Sequence, residues 1–191
     1  MLGSNTFGLY RQGWSGITID PVSTNVEFAG KCRPRDTSIL AVVRSTNEEK
    51  QFWEYETYEF STTVQDRVNK LGKQGIFPIK THFLKSKTLS SISVDATPLD
   101  PYVLSIDVEG AEIDVLRGND WTEFTPPIIV VEEHTPPWAK VSEISDFFRF
   151  CGYELSDYIG LTSVYIHTDR RFRMQRSNQV IKENSNNLHL D

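Results

Sequence analysis

The chain has 191 residues, 38% of them apolar and 12% aromatic, enough for one soluble domain with a sizeable core. A net charge of −6 argues against nucleic acid as the main partner, because phosphate binding needs concentrated Lys and Arg. No apolar run of about 18 residues and no charged-then-apolar leader occurs, so neither a membrane partner nor secretion is expected. Cys32 and Cys151 lie far apart and outside any Cys-x-x-Cys pair, and read as reduced thiols of a cytoplasmic protein.

Residues 7–11 read as the end of a helix stopped by Gly13, and residues 16–19 as a short branched strand ending at Asp20-Pro21. Thr24-x-x-Glu27 has the form of a capping box for a helix over 25–30. The unbroken apolar run over 39–43 predicts a strand buried on both faces. Residues 51–60 alternate aromatic and polar side chains (Phe52, Trp53, Tyr55, Tyr58, Phe60), which predicts a further strand. Those aromatics read as sheet packing in preference to a sugar platform. A short helix follows over 64–71, ended by Gly72, then an extended segment over 76–83, and Thr88 opens another short helix.

Beyond the loop over 98–101, a strand over 102–108 leads into a helix over 111–117, and a strand over 128–132 follows. His134-Thr135-Pro136-Pro137-Trp138 is a stiff loop with an exposed indole. Ile144, Phe147, Phe148 and Cys151 stand at helical spacing in a helix over 141–151, closed by Gly152. Residues 153–158 and 163–167 form a closing antiparallel pair. One domain is expected over 1–170, with a polar tail over 171–191; the cluster Arg170, Arg171, Arg173 and Arg176 reads as solvated. The alternation of strands and helices predicts an α/β fold with a doubly wound sheet.

Carboxylates fall where such sheets bind ligands, at the carboxyl ends of strands. Asp20 ends the first predicted strand, where an acid either accepts ribose hydroxyls or simply makes a turn before proline. Asp107 and Glu109 end the strand over 102–108; Glu109 either shares the face of Asp107 or caps the following helix. Glu112 and Asp114 read as first-turn acids on a solvated face. Glu133 and His134 leave the strand over 128–132 and are the candidate bases for a hydroxyl proton, the alternative being a polar loop exit. Asp107, Glu109, Glu133 and His134 are also metal-ligand types, but spacing across two strands gives no test, and no metal is assigned.

Three blocks carry a family resemblance. Ile106-Asp107-Val108-Glu109-Gly110-Ala111-Glu112 followed by Val115-Leu116-Arg117-Gly118 resembles the signature of FkbM-type S-adenosylmethionine-dependent methyltransferases. Ser4-Asn5-Thr6 with Leu9-Tyr10 and Gly13-Trp14-Ser15-Gly16-Ile17-Thr18-Ile19-Asp20-Pro21 resembles the family's second strand and its acidic end, and Pro127-Ile128-Ile129-Val130-Val131-Glu132-Glu133 its fifth strand. The resemblance implies a Rossmann-like, class I methyltransferase sheet, mostly parallel with an antiparallel closing strand. It further implies S-adenosyl-L-methionine as cofactor, bound by Asn5, Asp20, Asp107 and Glu109, and methyl transfer to a hydroxyl of a sugar or small metabolite. Asp107, Glu133 and His134 would be the catalytic residues.

The family's sheet begins with a strand and a Gly-rich loop upstream of Ser4, for which Met1-Leu2-Gly3 is too short. Either the true start lies upstream, or the expected fold is N-terminally truncated; a non-catalytic remnant acting as a binding module is the rival reading. A dehydrogenase on the same scaffold ranks last, since no Gly-rich dinucleotide fingerprint is present.

Overall fold

The structure, a computed structural model, describes residues 4–95, 103–139 and 142–169. Met1-Leu2-Gly3, the loop over 98–101, the arginine cluster and the tail over 171–191 lie outside the described residues, as do the first residues of the strand and helix expected from 102 and 141. The chain is α/β, with helices and mixed sheets, and divides into two compact units. The first comprises Met1–Asp100 and Ser105–Phe124, the second Pro101–Leu104 and Thr125–Asp191. No helix among the described residues is long and apolar enough to cross a membrane.

In the first unit, helix α1 (Phe7–Arg11) ends at Gln12, and Gly13 follows at φ 99°, the left-handed turn that glycine permits. Strand β1 (Ile17–Asp20) pairs in parallel with β2 (Thr37–Leu40), setting Asp20 opposite Leu40. Helix α2 (Ser23–Cys32) joins them, with Cys32 as its last residue. Its N-cap is Val22, and Thr24 lies inside the first turn, so the expected capping box does not form. The free N-terminal amides draw on Asp20 instead: its carboxylate accepts Val22 N at 2.7 Å.

The apolar run over 39–43 serves two sheets and is not one strand. It breaks at Ala41, after which β3 (Val42–Val43) pairs in parallel with β5 (Lys80–Lys87). Ala41 and Val42 are buried while Leu40 is about half exposed. Strand β4 (Glu49–Glu54) pairs antiparallel to β5, giving the order β3-β5-β4. The aromatic run does not continue as a strand: Tyr58–Phe60 is a 3-10 turn. Helices α3 (Gln65–Lys73) and α4 (Leu89–Asp95) flank β5 in sequence. Strand β6 (Val103–Ile106) and helix α5 (Glu112–Arg117) bracket the acidic motif. Tyr10, Phe52, Ile106, Val115 and Leu116 are among the buried side chains.

The second unit carries a sheet of order β6-β7-β9-β8, with β7 (Ile128–Glu132), β8 (Tyr153–Ile159) and β9 (Thr162–His167). Both β7 and β8 run antiparallel to β9, as the closing pair predicts. Helix α6 (Glu143–Phe150) is capped by Ser142, whose hydroxyl accepts Ser145 N at 3.1 Å. Its buried face presents Phe148, whose ring lies 4.5 Å from that of Tyr165 and 5.5 Å from that of Tyr153. With Ile129 and Val131 these aromatics form the core of the unit.

Candidate active site

A cleft of about 530 Å³ opens within the first unit, a size that suits a small-molecule ligand. The end of β1, the start of α2, the β2–β3 junction, residues 58–63 and the segment after β6 form its walls. Asp20, Asp107 and Glu109 all line it, so three of the carboxylates read from the sequence share one cavity.

Asp20 is held by its neighbours. Its Oδ1 accepts Val22 N, and both oxygens lie within 3.3 Å of Asn25 Nδ2. Burial raises its carboxyl above the usual carboxylate range, and the bonds from Val22 and Asn25 pull the other way without prevailing. A partly buried carboxylate at a strand's carboxyl end, facing a cleft, is suited to accept a ligand's hydroxyl protons in hydrogen bonds.

The acidic motif owes its shape to an interrupted strand. β6 ends at Ile106, so Asp107 and Glu109 do not continue as alternating strand residues. Glu109 adopts φ 55° and Gly110 φ 98°, two successive left-handed residues, the first of them a non-glycine. The turn is clamped from below by Glu112, which is buried and not solvated: its Oε1 accepts Gly110 N at 3.0 Å and Val108 N at 3.3 Å. The Thr62 hydroxyl donates to the Glu109 carbonyl at 3.0 Å, and the Glu109 carboxylate meets Arg67 Nη2 at 2.5 Å. Asp114 is likewise engaged, with Ser45 and Arg44. Both first-turn acids thus belong to the unit's internal bonding.

Asn5 does not line the cleft; its amide donates to Ser105 Oγ at 3.4 Å, and Ser4 is the cleft residue of that block. Arg33, Glu59 and Thr62 line the cleft without having been singled out from the sequence, and Tyr58, read there as sheet packing in preference to a sugar platform, lines it as well. Arg33 is buried, with Nε 2.6 Å from Asp36, Nη1 donating to Thr6 Oγ1 at 3.0 Å, and its guanidinium over the Tyr10 ring. Its one sequence signal was the Arg-Pro-Arg-Asp context, indistinguishable there from a surface loop.

Glu133 and His134 stand in the second unit. Glu133 is only 2% exposed, and its carboxylate accepts three hydroxyls: Ser142, Ser163 at 2.6 Å and Tyr165 at 2.9 Å. Burial, and then the bond to Glu133, hold the Tyr165 phenol far above its usual range, so it stays a donor. Enclosed in this way, Glu133 serves the second unit as an acceptor for three hydroxyls. His134 is half exposed, with Nε2 3.5 Å from a Glu132 carboxylate oxygen. Trp138 is exposed, as its loop predicts, and rests edge-on against Tyr158 with ring centres 5.0 Å apart.

No curated protein and no solved structure matches the chain. The family model described as the methyltransferase FkbM domain matches residues 3–155, a span that includes the cleft, the Asp107–Gly118 motif and β7. With most of its length covered by that model, the chain belongs to the FkbM methyltransferase family.

Proposed function

We propose that the chain is an S-adenosylmethionine-dependent methyltransferase acting on a hydroxyl oxygen of a sugar or small metabolite, on a Rossmann-like doubly wound sheet. The observation that carries the reading is the position of Asp20, a partly buried carboxylate at the end of β1 on the wall of a cleft of ligand size. The parallel pairs β1–β2 and β3–β5 support the sheet type. Cys32 and Cys151 are both free thiols, which fits a reducing, cytoplasmic setting.

The residues present fit the cofactor. Asp20 would accept the paired hydroxyls of a ribose, while Val22, Val26, Ala41 and Val42 supply apolar wall. When bound, the cofactor supplies an electrophilic methyl group on a positively charged sulfur. Asp107 on the cleft wall would orient the acceptor hydroxyl. The family resemblance makes His134 the candidate base for the hydroxyl proton. Positioning of the two reactants would supply most of the acceleration.

Calorimetric titration of S-adenosylhomocysteine into the chain, with Asp20→Ala alongside, tests the reading. Saturable binding that weakens at least about tenfold in the variant is expected, the value of charged hydrogen bonds to hydroxyls. Absence of binding by a well-folded chain would sink it.

One observation favours a second reading, a non-catalytic binding module. Among the described residues β1 pairs on one edge only, and all four of its residues are half-buried where a central strand would be covered. Binding of S-adenosylhomocysteine without methyl transfer to any member of an acceptor panel would select that reading.

A further inference from the structure

Within the first unit, the chain between α3 and β5 exposes three large apolar side chains in one short stretch: Phe77 (69%), Ile79 (65%) and Phe83 (65%). Pro78 stiffens the loop between the first two. Ile79 precedes β5, and by the strand's two-residue period it shares a face with Phe83 and Lys85. Phe77 packs back on the end of α3, its ring 3.9 Å from where a Cβ on Gly72 would stand. The apolar residues therefore stand out from structured backbone and are not a frayed end.

Cations surround them. Lys70 and Lys73 lie in the last turn of α3 and Lys85 on the face of β5 that carries Phe83, while Lys80 adjoins Ile79 on the other face. All four are exposed, and none forms an ion pair among the described residues. No carboxylate occurs between Asp66 and Lys87, in a chain whose net charge is −6. Two acids stand across the sheet from this set: Glu49, opposite Lys85, and Glu54, opposite Lys80 and bonded to His82 at 2.7 Å.

We infer that the α3–β5 connection and the outer face of β5 form a peripheral contact surface for an anionic phospholipid bilayer. Exposed apolar residues on a stiff loop enter the headgroup boundary, and the surrounding lysines meet the lipid phosphates and carboxylates. A second copy of the chain fits poorly, since a two-fold contact would set lysines against lysines. Nucleic acid fits poorly as well: Arg67 is tied to Glu109, and the chain carries a net charge of −6. This surface departs from the expectation of no membrane partner, which rests on the absence of a spanning segment and is blind to local exposure.

Vesicle flotation tests the inference with the 191-residue chain, using phosphatidylcholine vesicles with and without about one-third phosphatidylserine. The chain should float with the anionic vesicles and stay behind with the neutral ones. Lys70→Glu/Lys73→Glu/Lys85→Glu should weaken partition about 100-fold or more, at about fivefold per lysine lost. Phe77→Ser/Ile79→Ser should also weaken it, with circular dichroism unchanged in both variants. Failure to float with anionic vesicles overturns the inference, as does binding that ignores both sets of substitutions. Self-association or oligonucleotide binding through this face, without vesicle binding, overturns it too.

Discussion

Gly118 stands directly against the backbone of Arg44: a Cβ built on it would fall 2.4 Å from the Arg44 carbonyl oxygen and 3.0 Å from the Ser45 Cα. Its own φ of −83° suits any residue, so glycine is required here for space and not for conformation. The approach lets the end of α5 dock on the segment after β3, where Asp114 gathers Arg44 Nε at 2.6 Å, Ser45 Oγ at 2.6 Å and Ser45 N at 3.1 Å. The Asp114-x-x-x-Gly118 spacing of the family motif is thus one structural joint.

Gly118→Ala should destabilise the chain by about 2–3 kcal/mol, because the obstructing atoms are backbone and cannot swing aside. Urea unfolding measures this. A loss within about 0.5 kcal/mol, the range of an ordinary surface substitution, would show that the 44–45 segment moves freely and that the joint is not fixed.

Asp114 gives that joint a pH dependence. Burial raises its carboxyl, but the Ser45 hydroxyl and amide and the Arg44 guanidinium outweigh this and hold it below the usual 3.8. A lowered native value contributes stability above the unfolded value, lost as pH falls through the native one. Asp114→Asn should therefore cost about 1–2 kcal/mol at neutral pH, and the gap should close as pH falls through the lowered native value. Thermal melts of both proteins across pH give the comparison; a gap independent of pH would assign the loss to shape alone.

Much of this arrangement was legible where local pattern and tertiary structure agree. Strand β7 falls on the residues its apolar run predicts, and the antiparallel pairing of β8 with β9 follows from two alternating runs around Gly160. Distant bonds decide the rest. The aromatic alternation over 51–60 continues in sequence, but β4 stops at Glu54 because Trp53 turns to pair with Thr62 and the Ser61 hydroxyl accepts Tyr55 N. Glu112 looks like a solvated first-turn acid until a left-handed Glu109-Gly110 turn folds two amides onto it. Asp20 and Asp107 were readable as cleft carboxylates because strand ends advertise themselves. The enclosure of Glu133 was not readable, because its three hydroxyl partners lie nine to 32 residues away.

Those hydroxyls set the expectation for Glu133. Glu133→Gln keeps the shape but replaces one acceptor oxygen with a donor that faces hydroxyl donors. A cost of about 2–3 kcal/mol is expected, from charged hydrogen bonds lost and a buried donor left without an acceptor. Tyr165→Phe, which removes a single donor, should cost about 1 kcal/mol. Chemical unfolding distinguishes the two. If Glu133→Gln is as stable as the native chain yet loses methyl transfer, the residue is a base after all and its structural assignment fails.

Asp20 should show the opposite balance, with stability sacrificed at a binding site. Its carboxyl is raised by burial, so the native state binds a proton more readily than the unfolded chain, and the ionised form weakens the fold. Between the usual 3.8 and the raised native value, stability should fall as pH rises, and above that window the deficit persists. Asp20→Asn removes the charge, and its side-chain oxygen can still accept Val22 N. The variant should melt a few degrees higher than the native chain at neutral pH, with the advantage vanishing below about pH 4. Its affinity for S-adenosylhomocysteine should fall about tenfold or more, because a neutral amide oxygen is a poorer partner for two ribose hydroxyls. Differential scanning calorimetry and titration on the same preparations read both quantities. A variant that gains stability and keeps full affinity would leave Asp20 as a turn residue and move the ribose contact elsewhere on the cleft wall.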